Sequence, residues 1–282
     1  MSDRNESPSW PESARAYLRA MGGGLLVGLP LLFTMEVWWH AFLLPPLKIV
    51  LLVMVAFIVV VGYTAITGFR RDRTWQQVLV DAVEAFGIAI VVAGAVLLLL
   101  RRIEPATGLR DAVGKVALEA IPIAFGAAVG SAQLAAQGEQ GSGNRADRHL
   151  GPMARLFVGA GGALLFALNV APTEEPLLLG IEAEWWVLLA VMLASFLMTL
   201  GIVFYADFRG GKSGEPDGPL STPLGETTSA YALSLLVSLL LLWSFGRTDG
   251  ASAQAIFGQM VMLALVASFG AAAGRLLVGG GS

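Results

Sequence analysis

Long apolar runs alternate along the chain with short polar breaks. Runs extend from about Ala20 to Trp38, Leu47 to Gly68, Val78 to Leu100 and Ala112 to Ala135, then from about Met153 to Pro172, Trp185 to Tyr205, Thr227 to Phe245 and Ala255 to Val278. Several approach or exceed the ~18 apolar residues that mark a transmembrane helix. The breaks hold the turn formers and charges: Pro45 and Pro46, Arg70 to Arg73, Arg101 and Arg102, and the Gly/Pro-rich loop from Gly210 to Pro223. Residues 1–13, with Pro8, Pro11 and four charges, read as a disordered tail. Residues 138–152, rich in Gly, Ser and charge, read as a cytoplasmic linker. The pattern predicts an all-α polytopic membrane protein with eight transmembrane helices, four in residues 14–137 and four in 153–282.

The two halves share motifs in one order. Gly23-Gly24 opens a run ending on Glu36, and Gly161-Gly162 opens one ending on Glu174; both pairs lie 138 residues apart. Phe69-Arg70 answers Phe208-Arg209, and the stretch Asp81 to Phe86 answers Glu226 to Tyr231. Phe125-Gly126 with Gly130 answers Phe269-Gly270 with Gly274. Four ordered matches predict two parallel four-helix repeats. An even helix count keeps both copies in one orientation, so a rotation near 180° about the membrane normal is expected to relate them.

Composition agrees with the pattern. Of 282 residues, 56% are hydrophobic and 14% charged, against roughly 25% charged in soluble domains. A net charge of -3 is too small to imply a polyionic partner, and nothing points to nucleic acid. The absence of cysteine excludes disulfides, thiol catalysis and thiolate metal sites. The polar first twenty residues do not read as a cleavable signal peptide. With the N-terminus inside, 12 of the 18 Lys and Arg residues fall on inner segments and 6 on outer ones. That bias places both termini in the cytoplasm. The cluster Arg101, Arg102, Arg110 and Lys115 in one outer loop runs against it.

Candidate chemistry is acidic. Glu36 and Glu174 are expected at the outer, C-terminal ends of two helices, where the helix dipole is already negative and a cation gains energy. Pro30, and Pro172 with Asn169, are expected to free backbone carbonyls there, at Leu26 and Leu168. Glu175 joins Glu174, Glu182 and Glu184 in a turn of four acids with no base, which would concentrate cations at a vestibule. The plainer account is that these acids are solvated among headgroups. Asp81, Glu84 and Glu226 begin two helices, where the dipole suits an acid; the functional reading makes them an inner gate. Glu119 lies one turn from Lys115, so an intrahelical pair is its plain account and a transport role its sharper one. His40 and His149 are too far apart to make a metal site. No phosphate loop, HExxH, nucleophile elbow or potassium-filter sequence occurs.

The short polar N-terminus, Phe33-Thr-Met-Glu-Val-Trp-Trp39, Pro172-Thr-Glu-Glu-Pro176 and the eight-helix layout resemble a family of bacterial integral membrane proteins of unknown function. The resemblance implies a multi-pass protein of the bacterial inner (plasma) membrane and carries over no activity. The residues themselves suggest a secondary transporter or channel for a small cation or proton, not an enzyme and with no cofactor, in which the paired acids meet near the symmetry axis. A non-transporting scaffold or sensory assembly protein is the alternative. The bilayer is the one certain partner, and a homo-oligomer is compatible with the sequence.

Overall fold

The structure, a computed structural model, describes residues 10–67, 74–138, 152–209 and 222–279. Residues 1–9 of the tail, the basic run 70–73, most of the linker with His149, and the loop 210–221 lie outside the described residues.

Among the described residues the chain is entirely helical, with no strand. Inside a bilayer a backbone satisfies its own polar groups most simply as helix. Ten helices form in order: α1 (Trp10–Leu32), α2 (Met35–Leu43), α3 (Pro46–Thr67), α4 (Trp75–Leu99), α5 (Leu109–Gly138), α6 (Pro152–Leu168), α7 (Glu175–Glu182), α8 (Trp185–Arg209), α9 (Pro223–Ser244) and α10 (Ala253–Gly279). Six of them, α3, α4, α5, α8, α9 and α10, are long and apolar enough to cross a membrane.

The expected count of eight is corrected by two short helices. The first apolar run does not continue to Trp38: it bends by 81° between α1 and α2. Thr34 makes the corner. Its N–H donates to the Leu31 carbonyl at 2.8 Å and its hydroxyl to the Pro30 carbonyl at 2.7 Å. Two orphan carbonyls of α1 are thereby satisfied and the chain is free to turn. The fifth run stops at Leu168, where the Asn169 side-chain amide donates to the Leu165 carbonyl at 2.8 Å. Pro172 therefore lies in a turn, not within a helix. Its own carbonyl accepts the Arg247 guanidinium at 2.6 Å.

Packing follows the same plan in each half. In the first, α5 is the hub for α1, α2, α3 and α4; in the second, α10 is the hub for α6, α7, α8 and α9. Small residues permit the closest crossings. A methyl group added at Gly23 would stand 2.6 Å from the Gly126 carbonyl oxygen, and one added at Gly114 2.6 Å from that of Ala41. In the second half Gly162 lies against the Gly270 carbonyl and Gly258 against that of Gly180, closer still.

The halves meet where α3 packs against α6 and α9. Gly62 receives the Phe157 ring, and Gly161 receives the Phe125 ring. At the end carrying α2, Lys48 pairs with Asp249 at 2.8 Å and His40 sets its ring edge-on to Phe245 with centroids 5.0 Å apart.

Candidate functional site

Helix α5 carries Asp111, Lys115 and Glu119 at successive turns of one face. The expected pair between Lys115 and Glu119 does not form. The Lys115 ammonium turns toward the helix start and donates to the Asp111 carboxylate at 3.0 Å and to the Arg102 carbonyl at 3.0 Å. Glu119 is left fully enclosed by protein, 0% exposed, within the span Leu109–Ser131. Leu118, Ala120 and Ile121 beside it are buried as well.

One polar group reaches Glu119 from another element. The Trp38 indole N–H is directed at its carboxyl group, in a looser arrangement than a full hydrogen bond. Trp38 sits on α2 because of the corner at Thr34, and Gly114 lets α2 lie against α5. The Arg102 guanidinium covers the other side of the indole, 4.5 Å from the ring centroid. Trp38 thus stands between the basic loop joining α4 to α5 and the enclosed carboxyl. The unbroken apolar run from Ala20 to Trp38 gave no sign of this placement, which the corner at Thr34 creates.

The other predicted residues lie elsewhere. Glu36 is half-buried in the first turn of α2, and Glu175 is exposed in the first turn of α7 with Glu174 as its N-cap. These are helix N-termini, so the expected C-terminal dipole is corrected in sign: the helix end favours the acid. The Glu36 carbonyl accepts from His40 Nδ1 at 2.6 Å. The Thr173 hydroxyl and the first backbone N–H groups of α7 hold the Glu175 carboxyl below the usual carboxylate range. Asn169 is engaged with its own helix. Glu182 and Glu184 are exposed, and Glu184 accepts the Trp186 indole N–H at 2.6 Å.

Of the gate candidates, Glu84 is exposed and Asp81 half-buried. Glu226 is 4% exposed and forms an ion pair with Arg155, joining α9 to α6. It was expected as a dipole-stabilised acid at a helix start; it is also a buried tie between helices.

A second polar feature was not anticipated. Thr227, Tyr231, Ser234 and Ser238 form one buried face of α9, spaced by four, three and four residues. Ser195 and Thr199 of α8 and Gln259 of α10 are buried too. Most hydroxyls return to carbonyls of their own helix, as Ser234 does to Ala230 at 2.7 Å. The Tyr231 and Ser238 hydroxyls and the Gln259 amide make no such bond. The helical spacing of hydroxyls was visible in the sequence. Among the described residues no three His, Asp or Glu side chains gather to hold a metal.

Residues 16–278 match the family of integral membrane proteins designated DUF2391. The chain belongs to this family. The match covers every helix that could span the bilayer, so the protein is an integral membrane protein with several transmembrane helices. No curated protein and no solved structure is similar enough to the chain to match it.

Proposed function

We propose that this DUF2391 protein is a secondary transporter or channel for a small cation or proton, and that its binding carboxylate is Glu119. One observation carries the reading: Glu119 is wholly enclosed within a membrane span, while the nearest cation on its helix, Lys115, is turned away to Asp111. An isolated carboxylate is costly inside a bilayer, and a proton or a bound cation relieves that cost. The broken helix α1–α2 supports the same reading, since discontinuous helices supply binding sites in transporters. The exposed acids of α7 and the half-buried Glu36 then serve as an outer attractor rather than the site.

The halves read as a duplication in a register one residue longer than the glycine pairs alone suggested. Gly23 to Gly162 and Ala41 to Gly180 both span 139 residues, while Gly114 to Gly258 and Gly126 to Gly270 both span 144. These are the residues at matching helix crossings. Seven buried positions of α4, from Ala82 to Leu97, recur 145 residues later as buried positions of α9. Phe57 on Phe86 recurs as Phe196 on Tyr231. In this register Glu36 corresponds to Glu175, not Glu174. A half-turn about the membrane normal would also set α8 against α1 and α4, as α3 sits against α6 and α9. No comparable contact exists among the described residues, which supports two units in head-to-tail order instead. The basic bias of 12 to 6 supports both termini on the cytoplasmic side of a bacterial inner membrane.

Purified protein in vesicles, loaded with a pH-sensitive dye and given proton, sodium or potassium gradients, tests the function. Glu119→Gln should reduce flux at least tenfold. Glu36→Gln, Glu174→Gln and Glu175→Gln should each reduce it by no more than about threefold. The reverse ranking would return the site to the outer acids. A wild-type protein that passes no cation under any gradient would leave the scaffold reading as the better one.

A further inference from the structure

The contact between the halves is one-sided, and its unused counterparts form two bare surfaces. Within the chain, α3 and α5 supply Gly62 and Phe125, while α6 supplies Phe157 and Gly161. Gly62 faces the Phe157 ring, and Gly161 faces the Phe125 ring and Val59. Counting on by 139, or by 144 for α5, the donor surface recurs as Met198, Gly201 and Phe269 on α8 and α10. Counting back by 139, the acceptor surface recurs as Leu18 and Gly22 on α1.

Four of these five counterparts are exposed, and Met198 is half-buried. Gly201 and Gly22 are exposed, and a methyl group on either would meet nothing within 4 Å. Phe269 is 41% exposed, whereas Phe125 is 5% exposed, and Leu18 is 66% exposed. Helix α8 has the smallest protein-covered share of all six spans, 22%. Beside Leu18, the α1–α4 surface holds a groove of about 480 Å³ lined by Tyr17, Leu79, Val80, Val83 and Glu84. On the corresponding α6–α9 surface the other half covers Gly161 and meets Phe157, while the counterparts of the groove lining, Leu156, Leu224 and Thr228, stay exposed.

We propose that a second copy of this chain covers these surfaces: the α8 face of one copy, centred on Gly201, docks on the α1 face of the next, centred on Leu18 and Gly22. The inference rests on the duplication and not on transport. The occupant follows from continuity, because the chain already builds this interface once between its own halves. A heterologous contact of this kind repeats from copy to copy and closes into a ring when its rotation allows. Both halves share one orientation, so the ring lies in the membrane plane. The ion pair of Lys48 with Asp249 has no counterpart, since Val187 stands at the Lys48 position. The contact between copies therefore lacks that ion pair and should weaken in detergent.

The chain has no cysteine, so paired cysteines report cleanly in native membranes. Under mild oxidation Leu18→Cys with Gly201→Cys should give dimers and a ladder of larger species. Gly62→Cys with Phe157→Cys should link within one chain and run as a monomer. Leu18→Cys with Val50→Cys, the latter on an exposed part of α3 outside the contact, should stay monomeric. Adding Gly22→Trp to the first pair should cut the linked fraction at least fivefold. A monomeric Leu18–Gly201 pair, or equal linking through Val50, overturns the proposal. Failure of the Gly62–Phe157 pair to link within one chain overturns the template and the proposal with it, and leaves the transport reading standing.

Discussion

Lys115 and Glu119 occupy adjacent turns of one helix face and do not meet; the ammonium lies 3.0 Å from Asp111 and the carboxyl faces Trp38. Asp111 therefore acts as a keeper that holds a cation off the buried acid. Asp111→Ala should release Lys115 to fold down on Glu119 and slow vesicle flux several-fold. Adding Lys115→Met should restore most of it. Flux measured across this double-mutant cycle checks the claim, and additive losses would refute it.

The glycine crossings should be intolerant of even one methyl group. Gly126→Ala places a carbon 2.6 Å from the Gly23 carbonyl oxygen, and Gly258→Ala presses on Gly180. Each should destabilise the fold by about 1–3 kcal/mol, the usual range for overpacking. Gly87→Ala and Gly94→Ala meet open space and should be neutral or stabilise by about 0.5–1 kcal/mol, since alanine is the better helix former. Unfolding midpoints in mixed micelles separate the two classes.

Glu226 and Arg155 form a buried tie whose halves depend on each other. Removing one partner strands the other charge, at a cost of about 3–5 kcal/mol. Glu226→Gln and Arg155→Met should each lower stability by that order. The double replacement Arg155→Met with Glu226→Met should cost clearly less than their sum. The same unfolding measurements decide it.

Orientation has a direct check. In intact cells a cysteine at position 142 should resist an impermeant thiol reagent, and one at position 106 should react. Labelling at 142 without permeabilisation would invert the topology.

The spans were legible because apolar length is a strong signal; α3, α4, α8, α9 and α10 lie close to the apolar runs that announce them. The corners at Thr34 and Asn169 were not. Both depend on a side chain returning to a carbonyl four residues back, which sequence alone does not distinguish from an ordinary helical residue. That error put Glu36 at the wrong end of a helix and reversed the sign of its surroundings. The register of the proposed repeat differs by one from the glycine alignment for a similar reason. Adjacent glycines offer two alignments, and only packing shows that Gly23 and Gly162, rather than Gly23 and Gly161, meet the opposing backbone. Glu119 was visible but underrated, because i, i+4 spacing to Lys115 suggested a pair that Asp111 takes over. The hydroxyl face of α9 was legible as spacing and passed over because each residue is common in membrane helices.

On α10 the place of Glu119, 144 residues on, is held by Leu263. If Glu119 carries the ion as proposed, it has no counterpart in the second half, and a turnover that loads it on one side and empties it on the other moves a single elementary charge. Such a cycle is electrogenic. A potential of 100 mV does about 2.3 kcal/mol of work on that charge, enough to sustain roughly a fifty-fold concentration ratio of the carried ion.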